Sequence, residues 1–172
     1  MSDRGRPTEL PPVPAPPGAE IAVFTPARSE DARLIRNEAF RDHWGSTPTS
    51  AEDWAHYLAG RAFRPECSFL AYAGGAPAGF VISQEYADIP GVRELFIATL
   101  GTRLAARKQG IGSALLFRAL GEGRAAGCTL ASLVVDAGSP TGALGLYERA
   151  GFTVDHTSVT QSKSLLPKPL LP

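Results

Sequence analysis

Cysteine is scarce: Cys67 and Cys128 are the only two, they lie 61 positions apart, and neither has metal-ligating neighbours at short spacing. This argues against a metal site and reads as a pair of reduced structural thiols, as suits a cytoplasmic protein. An excess of either charge is missing too, with 17 Lys+Arg against 17 Asp+Glu in 172 residues. Without a basic surplus the chain has neither the phosphate attraction on which nucleic-acid binders rely nor a general pull toward anionic membranes. Strongly apolar runs such as Leu130 to Val135 fall far short of the ~20 residues of a membrane helix. Met1 to Pro17 has charges with no apolar stretch behind them, unlike a secretory signal, and no internal repeat is present. What remains is an ordinary globular mixture, 44% apolar and 20% charged, sufficient for one domain with a sizeable core.

Proline is unevenly placed, with six of the 15 before residue 18 and three in the last six positions. Proline removes backbone donors and favours extended, solvated chain. Residues 1–18 are therefore expected as a disordered tail, 19–165 as a single folded domain and 166–172 as a C-terminal tail. Inside that domain the hydrophobic period changes in an informative order. Glu20 to Thr25 alternates like a short strand, and Ser29 is placed to cap a helix from Glu30 to about Phe40. Ser50, followed by Glu52 and Asp53, starts a second helix to about Leu58, with Gly60 at its end. Ser68 to Ala73, the Gly74-Gly75 pair and Ala76 to Gln84 read as a hairpin, and Arg93 to Thr102 as the next strand.

The second half alternates helix and strand. Gly110 to Ala126 carries a helical stripe that ends at Gly127. Thr129 to Val135 reads as a strand covered on both faces. Ser139 and Pro140 open a helix to Ala150, with Gly151 just past its end. Phe152 to about Ser164, rich in β-branched residues, predicts a last strand or a broken pair of strands. The fold class is α/β: a mixed sheet with antiparallel N-terminal strands and a parallel β-α-β-α second half.

The most specific local feature is Arg107-Lys108-Gln109-Gly110-Ile111-Gly112, between the end of a strand and the start of a helix. The first turn of a helix has N–H groups without intrahelical partners and a partial positive charge, so anions bind there. Gly110 and Gly112 let a phosphate approach the backbone. Arg103, Arg107 and Lys108 add cations, and no carboxylate occurs from Leu95 to Gly121. A strand-to-helix turn that binds nothing is the bland alternative. Neither a Walker loop nor a Rossmann turn is present, which leaves nucleotide binding by the same loop as a weaker reading.

These residues resemble the GNAT superfamily of acetyl-CoA-dependent N-acetyltransferases. Its signature, Arg/Gln-x-x-Gly-x-Gly/Ala, is met by Arg107, Gly110 and Gly112. Its second motif, a helix ending Leu-Tyr-x-x-x-Gly-Phe, is met by Leu146, Tyr147, Gly151 and Phe152, with Ala143 in the small position. More narrowly, Asn37-Glu38-Ala39-Phe40, His43-Trp44-Gly45 and the Ser139 to Ala143 run resemble the branch that contains mycothiol synthase and related actinobacterial proteins. Many members of that branch hold two such domains; this chain has room for one.

The resemblance implies a GNAT-like fold and acetyl-CoA as co-substrate. It places the CoA pyrophosphate on the amides of Gln109, Gly110, Ile111 and Gly112, in the turn that continues to Ser113, with Arg107 and Lys108 nearby. Pantetheine would run beside the strand ending at Leu100, Gly101 and Thr102, pairing with it where two central strands splay. An N–H near Leu100 would polarise the thioester carbonyl. Ser139 stands where related sequences often place Asn, toward pantetheine.

The catalytic expectations are Tyr147 as general acid for the departing thiolate and Glu94 as general base. A tyrosine packed on the core is the alternative for the first, and a solvated strand-end carboxylate for the second. Alternation puts Glu94 on the same face as Phe96 and Leu100, and Phe96 stands where many members have a glutamate. Glu85, Asp88 and Glu94 form an acidic rim that either attracts a cationic acceptor or is only solvated. His43, Trp44, Trp54 and His56 fall in or near the early helices, with aromatic packing the better reading of both tryptophans. The acceptor expected is a primary amine of a small molecule or peptide, attacked into directly, and a homodimer would help to cover sheet edges. The alternative is a catalytically weak or inactive GNAT-shaped domain that binds CoA or serves in assembly or regulation.

Overall fold

A computed structural model describes residues 10, 13–42, 46–135 and 143–157. Five strands form one sheet in the order β1 (Ala19–Val23), β2 (Phe69–Ala73), β3 (Ala76–Tyr86), β4 (Glu94–Thr102) and β5 (Leu130–Leu133). The first four pair antiparallel with one another in sequence and β5 is parallel to β4. The mixed sheet expected from the sequence is therefore present.

Helices cover both faces. α1 (Ser29–Ala39) and α2 (Ala51–Leu58) lie on one, where Ile35, Trp54, Leu70, Phe80 and Ile82 are buried together. α3 (Ile111–Ala125) packs on the other, where Phe69, Val81, Leu95, Ile97, Ile111 and Leu115 meet, and α4 (Ala143–Arg149) adds Leu146 and Tyr147 to the same cluster. Each such fully buried side chain contributes roughly 1.5–3 kcal/mol.

Local chemistry explains most boundaries. Gly74 and Gly75 both have positive φ, +57° and +80°, the conformation a two-residue hairpin turn requires. Ser50 caps α2 through the Asp53 N–H (3.1 Å). Ser29 does not cap α1 as expected. It lies inside the helix and accepts from Trp54 Nε1 (3.1 Å), tying α2 to the start of α1.

The C-terminal half departs further. β5 has four residues rather than seven, Leu130 is exposed, and Val134 beyond it is 82% exposed, so an apolar run here does not mean cover on both faces. Phe152 to Thr157 carries no strand. Ser139, Pro140 and 158–164 lie outside the described residues, as do His43 and Trp44. Of the segment read as a proline-rich tail, Leu10 packs against the α3-side core and the Ala19 N–H donates to the Pro16 carbonyl (2.9 Å).

Candidate active site

Strand β4 carries one more residue than its partner at a single point. Ile82 pairs with Thr99 but Ser83 with Ile97, leaving Ala98 as a β-bulge. The partner strand is fixed opposite it: Ser83 N–H donates to Ser68 Oγ (2.9 Å), Ser83 Oγ to the Cys67 carbonyl (2.7 Å), and Ser68 Oγ to the Arg64 carbonyl (2.7 Å). Pairing with β5 runs from Glu94 to Ile97 and stops there, while β4 continues to Thr102. Beyond Ile97 no ladder continues on the β5-side edge of β4 among the described residues.

The bulge also changes which side chains share a face. Leu95 and Ile97 join the α3-side core and Phe96 turns the other way, against Tyr86 (centroids 6.0 Å). After the extra residue Leu100 falls back on the α3 side. Glu94 therefore shares a face with Phe96 but not with Leu100, a correction to strict alternation. Gly101 is pressed under the end of α1, where a Cβ would come 2.8 Å from Phe80 Cε1 and 3.1 Å from Phe40 Cε2.

From Thr102 the chain turns through a short 3-10 segment, Leu104–Ala106, into the signature loop. Gly110, at φ +83°, is the N-cap residue of α3, with no side chain capping the helix and no acid in its first turn. The N–H groups of that turn are left for an anion. A Cβ on Gly112 would meet only Leu146 Cδ2 at 3.6 Å and Thr102 Oγ1 at 3.7 Å, ordinary contacts, so the fold itself does not require glycine there. Lys108 stands at φ +59°; a non-glycine residue in that region carries roughly 1–2 kcal/mol of strain.

The cations of this loop differ in use. The Arg107 guanidinium donates to the Ala39 carbonyl at the end of α1 (2.9 Å) and to the Thr102 carbonyl (3.3 Å). Arg103 Nε lies 3.5 Å from Glu38 Oε2. Gln109 Nε2 donates to the Ala105 carbonyl (2.9 Å), closing the loop on itself. Lys108 is exposed and has no ion-pair partner among the described residues. Ile111 is buried and anchors α3, while Ser113 is half-buried on its first turn.

The second motif is a helix end. Gly151 (φ +87°) donates to the Glu148 carbonyl (3.0 Å) and Phe152 N–H to the Tyr147 carbonyl (3.0 Å), the paired bonds of a Schellman cap. The hydrophobic contact of that cap is the Tyr147–Phe152 ring pair (6.1 Å, 73°). Burial pushes the Tyr147 hydroxyl above its ordinary value. Glu94 accepts from Ser132 Oγ on β5.

Of the acidic rim, Glu85 is already paired. Glu85 accepts from Arg93 Nε (2.8 Å) and Arg64 Nε (3.0 Å), and the Arg93 bond above all holds its carboxyl below the usual range. Trp54 is buried with its Nε1 bonded, so the packing reading holds, and His56 is exposed on α2.

Sequence reasoning missed a cleft of about 320 Å³ on the α1–α2 side of the bulge, lined by Arg36, Thr49, Trp54, Tyr57, Ala98 and Thr99. Its floor is the bulged strand itself. Nothing in the amino-acid order marks the extra residue that creates it.

The model of the Acetyltransferase (GNAT) family matches residues 30–152. Mycothiol acetyltransferase of Catenulispora acidiphila is 31% identical over 152 residues, 84% of this chain and 47% of that protein. A GCN5-related N-acetyltransferase from Sphaerobacter thermophilus is 30% identical with a TM-score of 0.71, over 85% of this chain and 44% of its own. The chain thus spans about half the length of these two relatives. The structure of AAC(6')-Iy with a bisubstrate analogue is alike in fold, with a TM-score of 0.66 at 18% identity over 85% of this chain and 98% of its own. From the start of α1 to the cap of α4, over residues 30–152, the chain belongs to the GNAT family of acetyltransferases.

Proposed function

We propose that this acetyltransferase moves an acetyl group from acetyl-CoA to a primary amine of a small molecule or peptide, by direct attack and in the cytoplasm. The observation that carries the reading is one strand with three properties in series: pairing to β5 that, among the described residues, ends at Ile97, a bulge at Ala98, and a path from Thr102 into the uncapped terminus of α3. A diphosphate on the amides of Gln109 to Gly112 lays the pantetheine arm along the open edge of β4. The thioester then lies near Leu100, where one backbone N–H directed at the developing oxyanion is worth on the order of 3 kcal/mol.

The neutral amine attacks the thioester carbon; the C–N bond forms, the C–S bond breaks, and the thiolate takes a proton. Cys67 has no part in this, since burial pushes its thiol up to about 11. Tyr147 is the proton donor, and because burial raises its hydroxyl the transfer to the thiolate runs uphill from a weaker acid than an ordinary phenol. Glu94 precedes Ala98 by four residues, roughly 13 Å along a strand. Its part as base therefore runs through a chain of waters.

The test is incubation with acetyl-CoA and a mixed amine library, following free thiol and identifying the acetylated product by mass. Tyr147→Phe is expected to lower kcat by about 100-fold with donor affinity within about twofold, and Glu94→Gln to lower it less. Unchanged turnover in Tyr147→Phe would remove that residue from the mechanism. The half-length match to the relatives favours a second reading, a domain that binds CoA and serves in assembly or regulation. That reading predicts calorimetric binding of CoA with no product from any amine.

A further inference from the structure

The cleft over Ala98 and Thr99 has a distinctive chemistry. One wall is aromatic, with Trp54 stacked on Tyr57 (5.5 Å between centroids, 28° between planes). Arg36 of α1 is its one ionised lining residue among those described. Neighbouring arginines on this face are engaged: Arg33 with Glu30 and the Thr49 carbonyl, Arg103 with Glu38. Arg36 has no ion pair with any described carboxylate, and its bond to Asn37 Oδ1 is long, 3.4 Å. Asn37 instead clamps the facing loop, donating to the Thr49 carbonyl (3.1 Å) and accepting from the Thr49 N–H (2.8 Å). The rim is thus fixed while the guanidinium is left for something else.

A guanidinium partly withdrawn from water is stabilised by an anion, and its planar fork matches a carboxylate best. A volume of about 320 Å³ is at the small end of ligand pockets, which run from about 300 to 1,000 Å³. We propose that this cleft takes an amine acceptor bearing a carboxylate at Arg36 and a flat apolar body against Trp54 and Tyr57, as an aromatic amino acid does, and not a polycationic aminoglycoside. The inference rests on the acetyl-transfer reading for its amine, and on the cleft alone for its carboxylate. An aminoglycoside would bring several cations to a site whose only charge among the described residues is positive, with Glu85 already neutralised.

Two measurements test it. In the first, 3-phenylpropionate and its amide are titrated into the wild type, Arg36→Gln and Arg36→Lys, read by tryptophan fluorescence and calorimetry, with CoA affinity as the control for folding. The acid is expected to bind about tenfold tighter than the amide, the difference expected of a charge-assisted pair. Arg36→Gln should reduce that ratio to within about twofold and Arg36→Lys should keep part of it. Equal binding of acid and amide, no binding of either, or discrimination that survives Arg36→Gln overturns the proposal. In the second, kcat/KM is compared for phenylalanine, phenethylamine and neamine with acetyl-CoA. A preference for phenylalanine that vanishes in Arg36→Gln supports it, and a preference for neamine overturns it. If the acid binds through Arg36 but no amine releases thiol, the carboxylate site stands and acetyl transfer falls; thiol release without carboxylate preference gives the reverse.

Discussion

At Gly112 a side chain is missing where the surrounding protein would tolerate one. A methyl group there meets only ordinary contacts, and alanine is favoured over glycine in a helix by up to about 1 kcal/mol. Gly112→Ala is therefore expected to keep or raise the melting temperature. The KM for acetyl-CoA should stay within about twofold, since the signature accepts alanine as well as glycine at this position. Loss of stability would show that the position serves packing. At this scale the sequence was legible wherever a residue type is tied to a backbone geometry, as with Gly110, Gly127 and Gly151, all at positive φ where helices begin or end. Leu146-Tyr147 with Gly151-Phe152 was recognised as a family pattern, and its spacing is that of the cap whose bonds join Phe152 to Tyr147. Arg36 was not legible. One arginine on an amphipathic helix reads as part of a solvated face, and only the fold reveals that no acid among the described residues pairs with it.

Elements were legible to the extent that their period was regular. The hairpin and the four helices were found to within a few residues, because Gly74-Gly75 and the Ser50 cap are local devices. The bulge at Ala98 was not, since it is a property of two strands compared and changes no residue type in either. It reverses the facing of Leu100 and supplies the floor of the cleft. Strand and α1 meet closely at Gly101, under Ala39 and Phe40. Gly101→Ala must shift α1 or the Phe80 ring, because the added Cβ comes within 2.8 Å of it. The expected cost is about 1–3 kcal/mol, read as a lower denaturation midpoint at unchanged m-value. A neutral result would mean that α1 rides loosely on the sheet.

For the molecule as a whole, the zero net charge hides a linked set of ions. Glu85 on β3 holds Arg64 and Arg93, and Arg93 Nη1 also donates to the Ala126 carbonyl at the end of α3 (2.6 Å), so one carboxylate joins sheet, loop and helix. Its folded-state value lies below the ordinary 4.5. The stability it contributes is complete above that ordinary value and is lost as pH falls through the lower, folded-state one. Melting temperature followed from pH 7 downward should therefore fall more steeply below pH 4.5 in the wild type than in Glu85→Gln, the two curves converging at the acid end. Parallel curves would deny Glu85 that role.

Arg107 fastens the last carbonyl of α1 and the last carbonyl of β4 to a single guanidinium. The loop proposed to cradle phosphate and the wall proposed to receive the nucleophile consequently share an anchor, so that Arg107→Ala would loosen both at once.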